Sequence, residues 1–137
     1  MERTVSIVGA ALLALILVAT ALAAASPVTN VTVGKAQQLI KEHAGKADFV
    51  ILDVRTPGEF AEGHINGAVN LDVQSPDFAK RLRALDRKRS YLVYCRTGNR
   101  SRRATLAMEE LGFRSIFHMT EGIVKWKQQN LPVARPS

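Results

Sequence analysis

The chain has 137 residues, one cysteine, and 19 basic against 12 acidic residues, for a formal charge of +7. That length suits one domain, and a lone cysteine excludes an internal disulfide. With few aromatics and no nucleic-acid motif, the charge does not point to a nucleic-acid partner; it fits attraction of small anions better.

Met1 to Thr4 is short and polar. Val5 to Ala25 is apolar and uncharged, broken only by Ser6, Gly9 and Thr20. Ala21-Leu22-Ala23 and Ala23-Ala24-Ala25 both fit a small-x-small cleavage site. Residues 1–25 therefore read as a secretory signal peptide. The run also approaches the roughly 20 residues that span a bilayer, so an uncleaved membrane anchor is the alternative. Both place the domain outside the cytoplasm, with the periplasm as the expected compartment. Any membrane attachment would come through this segment.

Residues 26–30 read as a linker. Lys35 to His43 has helical spacing, with Ala36, Leu39 and Ile40 on one face. Phe49 to Val54 is apolar except for Asp53, as in a strand buried on both faces. Pro57 to Glu62 predicts a short helix opened by its proline. Ala68 to Leu71 predicts a short strand. Ser75 and Pro76 predict the start of a helix that runs to about Leu85 and buries Phe78, Leu82 and Leu85. Lys80, Arg81, Arg83, Arg87, Lys88 and Arg89 crowd this region and read as a solvated face.

Tyr91 to Tyr94 predicts a strand ending at Cys95. A helix follows from Asn99 or Arg100 to Leu111, with Ala104, Leu106, Ala107, Met108 and Leu111 near its inner face and Gly112 as its stop. Ile116 to Met119 predicts a strand, and Ile123 to Gln129 a last helix ended before Pro132. Strands alternating with helices imply an α/β fold, a parallel sheet with helices on both faces. Function in such sheets usually sits at the carboxyl ends of the strands, where Cys95 falls.

The loop Cys95-Arg96-Thr97-Gly98-Asn99-Arg100-Ser101 joins a strand to a helix. A thiol there faces turn amides and the unpaired N–H groups of the helix start, which favour negative charge. Arg96 and Arg100 add positive charge nearby. All of this stabilises a thiolate. Gly98 lets the loop curl, and Ser101 can cap the helix or donate to a sulfur anion. The same cradle suits a persulfide, whose outer sulfur carries the charge. A cysteine that takes up a sulfur and passes it on performs covalent catalysis in two steps.

From Val31 to Val133 the chain resembles a single rhodanese domain. Cys95 to Ser101 is similar to the active-site loop of that family. Leu52-Asp53-Val54-Arg55, Glu59-Phe60 and Gly63-His64-Ile65 resemble its upstream signature. Gly112-Phe113, Gly122, Trp126 and Leu131-Pro132-Val133 resemble its closing signature. The sequence departs at Asn66, where many members have proline, and at Glu121, where a glycine is usual near the pocket.

The resemblance implies a five-stranded parallel sheet and a persulfide on Cys95. It also implies thiosulfate-like donors with thiol or cyanide acceptors. Arg96, Thr97, Gly98, Asn99, Arg100 and Ser101 would hold the anion. No cofactor is expected. Glu121 would alter how anions or acceptors approach.

Asp53 and Arg55 read as supporting residues, Asp53 in a structural ion pair with Arg55 or a loop arginine. Arg55 and Glu59 lie four apart, which predicts a local ion pair. His64 reads as a structural hydrogen-bonding residue, and His43 and His118 as residues without clustered partners. One cysteine and scattered histidines show no metal-ligand spacing. Two other functions fit less well. A non-catalytic binding module would not need the cysteine with its full loop. Phosphatases and arsenate reductases of related fold use a loop one residue longer than the four-residue gap between Cys95 and Arg100.

Overall fold

The computed structural model describes residues 25–137. The predicted leader lies outside them except for Ala25. Strands and helices alternate: β1 (Val28–Val31), α1 (Val33–Glu42), β2 (Phe49–Asp53), α2 (Pro57–Glu62), β3 (Val69–Asn70), α3 (Phe78–Arg83), β4 (Ser90–Tyr94), α4 (Asn99–Glu110), β5 (Ser115–Met119) and α5 (Gly122–Gln128). The five strands form one parallel sheet in the order β1-β5-β4-β2-β3. Among the described residues no helix is long and apolar enough to cross a membrane.

Successive strand side chains point to opposite faces, and both faces are covered. On one face Leu52, Tyr91, Val93, Cys95 and Ile116 pack with Phe78 and Leu82 of α3 and with Ala104 and Met108 of α4. On the other, Ile51, Leu92, Tyr94 and Met119 pack with Val33, Ala36 and Leu39 of α1 and with Ile123 and Trp126 of α5. The continuous apolar runs of β2 and β4 follow from this double burial.

Three expectations need correction. Within the expected linker of residues 26–30, residues 28–30 belong to the edge strand β1, which pairs with β5 from Val28 opposite Ile116 to Val31 opposite Met119. Only Val31 of this strand is fully buried, so it lacks an apolar signal. Ser75 does not cap α3. It bonds Asp77 instead, the Phe78 amide donates to the Ser75 carbonyl, and the helix begins three residues later. Leu106 is 49 % exposed, on the side of α4 opposite Ala104 and Met108. The basic residues from Lys80 to Arg89 are exposed as expected.

Candidate active site

Cys95 directly follows β4, at the carboxyl edge of the sheet, and is 1 % exposed. The loop after it closes over the sulfur. The Gly98 amide donates to Sγ over 3.1 Å, and the Ser101 hydroxyl lies 3.2 Å from Sγ. Burial pushes the thiol up. The Ser101 hydroxyl and the amides of Ser101, Gly98 and Thr97 outweigh it, so the thiol sits below its ordinary value. Arg96, Thr97 and Asn99 point outward as exposed residues around this floor.

Two glycines let the loop approach its neighbour. Gly98, the N-cap of α4, has φ of 105°, and a Cβ there would strike the Thr120 carbonyl oxygen. Gly122, the first residue of α5, has φ of 68°, and a Cβ there would strike the Arg96 carbonyl. The two turns interlock backbone against backbone. The α5 amides of Ile123 and Val124 then donate to the carbonyls of Cys95 and Arg96 over 3.0 and 3.2 Å.

Arg100 does not stand free beside the sulfur. Its Nη1 and Nη2 donate to the two carboxylate oxygens of Glu59 over 2.7 and 2.8 Å. Glu59 also completes the capping box of α2, accepting from the Thr56 amide and hydroxyl. Arg100 therefore ties α4 to α2, and much of its charge is compensated. The expected Arg55–Glu59 pair is replaced by two others, because Arg55 precedes the Thr56 cap and the helical four-residue spacing does not reach it.

The Arg100 contact holds the Glu59 carboxyl at about 2, against an ordinary 4.5. With the folded value depressed, the contribution to stability is complete above the ordinary value and is lost as pH falls toward about 2. Thermal unfolding of the parent and of Glu59→Gln, followed downward from neutral pH, should show a gap that closes across this window. A gap independent of pH would remove the ionic explanation.

Asp53 pairs with Arg55, one of the two partners expected for it. The Arg55 amide and Nε each donate to Asp53 Oδ1 over 3.0 Å, and Nη2 donates to Oδ2 over 2.7 Å. Nη2 also reaches the Gly63 carbonyl over 2.8 Å, and the guanidinium lies over the Tyr94 ring. Tyr94 in turn accepts from the Ile65 amide. Asp53 and Arg55 thus fix the Gly63–Ile65 turn, as scaffold. His64 is structural too, with Nδ1 2.8 Å from the Phe60 carbonyl oxygen and its ring stacked on Phe60.

Glu121 accepts from the Val33 amide at the start of α1 over 3.0 Å, a favourable place for a carboxylate. Its backbone is right-handed helical, so the position does not require glycine. Arg96 and Lys127 line a cavity of about 260 Å³ with Arg55, Glu59, Glu62, Ile123 and Val124. Among the described residues no three metal-ligating side chains gather.

Sequence reasoning missed His118. Its Nε2 is 2.7 Å from the Ser101 hydroxyl oxygen, and so one residue removed from the sulfur. The available signal was a polar residue inside a buried strand, two positions after Ile116 and therefore on the α4 face.

Comparison with known proteins agrees with this fold. The rhodanese-like domain family matches residues 35–129. A sulfurtransferase of Allochromatium vinosum is 29% identical over 100 residues, covering 73% of this chain and 92% of that protein. The uncharacterized protein YibN of Escherichia coli K12 is 33% identical over 132 residues, covering 95% of this chain and 89% of its own. The crystal structure of a rhodanese-related protein from Thermoplasma volcanium superimposes with a TM-score of 0.67 at 27% identity, over 78% of this chain and 98% of that one. A family model matched over residues 35–129, together with this structural likeness, makes the chain a member of the rhodanese-like domain family.

Proposed function

We propose that the protein is a sulfurtransferase that carries sulfane sulfur on Cys95, from a thiosulfate-like donor to a thiol or cyanide acceptor. The observation that carries this reading is the convergence of the Gly98 amide and the Ser101 hydroxyl on the Cys95 sulfur. These donors stabilise a sulfur anion without supplying an acid that would protonate it.

In the first step the Cys95 thiolate attacks the outer sulfur of thiosulfate. A sulfur–sulfur bond forms to Cys95, and the sulfur–sulfur bond of the donor breaks to release sulfite. In the second step the acceptor attacks the outer sulfur of the persulfide, and the electron pair of that bond returns to Cys95 as thiolate. Arg96 and Lys127, lining the adjacent cavity, supply positive charge for an anionic donor. With one cysteine in the chain, the persulfide is discharged by an outside acceptor.

A phosphatase-like reading is weaker. It needs the loop arginine to clamp a tetrahedral anion, and Arg100 is held by Glu59. The proposal includes export, on the strength of the apolar leader.

Intact mass after thiosulfate treatment is expected to rise by one sulfur atom. Cyanide should remove that sulfur, and Cys95→Ser should never acquire it. Failure to load with thiosulfate and several other sulfane donors would sink the reading. The same spectrum of protein from its native host reports the mature N-terminus. A chain beginning at Met1 would leave only the uncleaved anchor.

A further inference from the structure

His118 lies on β5, opposite Val93 of β4 and Asn30 of β1, and is 5 % exposed. It shares the α4 face with Ile116 and Cys95 by strand alternation. The Ser101 hydroxyl oxygen stands at the centre of three contacts. It is 2.7 Å from His118 Nε2, 3.0 Å from the Gly98 carbonyl oxygen and 3.2 Å from the Cys95 sulfur.

A count of donors decides how these contacts are used. A serine hydroxyl has one proton to give. The Gly98 carbonyl can only accept, and a Cys95 thiolate or persulfide can only accept. If Nε2 were a bare lone pair, three acceptors would compete for that proton, and the shortest contact would draw it to the imidazole. The sulfur anion would lose its hydroxyl donor. With a proton on Nε2, the imidazole donates to Ser101 instead. The serine proton then chooses between a neutral carbonyl and an anion, and the charge-assisted bond is the stronger.

We propose that neutral His118, carrying its proton on Nε2, is a positioning residue that aims the Ser101 hydroxyl at the Cys95 sulfur anion. Its purpose rests on the sulfurtransferase reading. Its geometry does not.

The surroundings suit a neutral imidazole. Burial lowers its proton affinity, the nearby Gly98 backbone opposes this, and nearby Arg102 lowers it further, so the imidazole sits below its usual range. Arg102 and Glu109 of α4 share with it a cavity of about 300 Å³. The strand neighbours Asn30 and Val93 bear no charge. On the far side of Cys95, the charged pair is Arg100 with Glu59.

The test is a pH titration of the Cys95 thiolate by its ultraviolet absorbance, with Cys95→Ser as the blank. His118→Leu removes the donor that holds the Ser101 oxygen and leaves the hydroxyl free to turn, so it should raise the midpoint by up to about one pH unit, and by less than Ser101→Ala, which removes the sulfur's donor outright. His118→Gln keeps an N–H donor at similar reach and should titrate nearer the parent. Ser101→Ala should raise the midpoint by itself, and adding His118→Leu should then change nothing more.

An unshifted His118→Leu, a Gln variant that shifts as far as Leu, or a further rise in the Ser101→Ala background would each overturn the proposal. If the Leu variant fails to fold, nitrogen NMR of the parent imidazole decides. A protonated Nε2 supports the proposal, and a bare Nε2 ends it. None of these readouts uses a sulfur donor, so a failure here is distinct from a failure to form the persulfide.

Discussion

Asp53→Ala should lower the unfolding free energy by about 3–5 kcal/mol, the usual cost of stranding one partner of a buried ion pair. Asp53 is fully buried and Arg55 is 3 % exposed. Removing the carboxylate takes the acceptor from the Arg55 amide, from Nε and from Nη2 together. Only the Gly63 carbonyl and the Tyr94 face remain to the guanidinium. Against a total stability of roughly 5–15 kcal/mol, this is a large fraction. The companion variant is Asp53→Ala with Arg55→Met. Replacing both charges by apolar groups is often nearly neutral, so the double variant should recover most of the loss. Urea unfolding of both variants measures it. If the double variant is no more stable than Asp53→Ala, the stranded charge is not the cause.

This pair also shows what was legible in the sequence. Strands β2 and β4 read clearly because both faces of the sheet are covered, so each becomes an apolar run in which Asp53 stands out. α2 read clearly because Pro57 acts within the first turn of the helix it opens. Contacts across the sheet did not read. Glu59 meets Arg100, 41 residues away, and Ser101 meets His118, 17 residues away. Only the crossovers bring such pairs together. A short spacing misled where the helix had not yet begun, at Arg55. β1 was invisible because an edge strand needs only backbone pairing with β5, and three of its four residues are not fully buried. The cysteine loop was the exception. Its amide donors are local, so the sulfur cradle could be read from strand, glycine and helix order alone.

Gly122→Ala should disable that cradle. Two costs act together. Holding a non-glycine residue at a φ of 68° stores about 1–3 kcal/mol of strain. The added Cβ also lies 2.7 Å from the Thr97 amide nitrogen and closer still to the Arg96 carbonyl. Both are backbone atoms, with no side chain to turn aside. Relief requires the loop or α5 to move, which loosens the bonds from Ile123 and Val124 to the Cys95 and Arg96 carbonyls.

Gly112→Ala supplies the control. Its φ is 86°, but a Cβ there meets nothing within 4 Å, so it carries strain without collision. Gly122→Ala should therefore be the less stable by about 1–3 kcal/mol, the usual cost of overpacking. It alone should raise the midpoint of Cys95 thiolate formation, because the Thr97 and Gly98 amides that lower the thiol are displaced. Equal stability in the two variants, with the thiolate midpoint unmoved in both, would mean that the loop yields at no cost. The interlock of Gly98 and Gly122 would then not be what holds the sulfur site in shape.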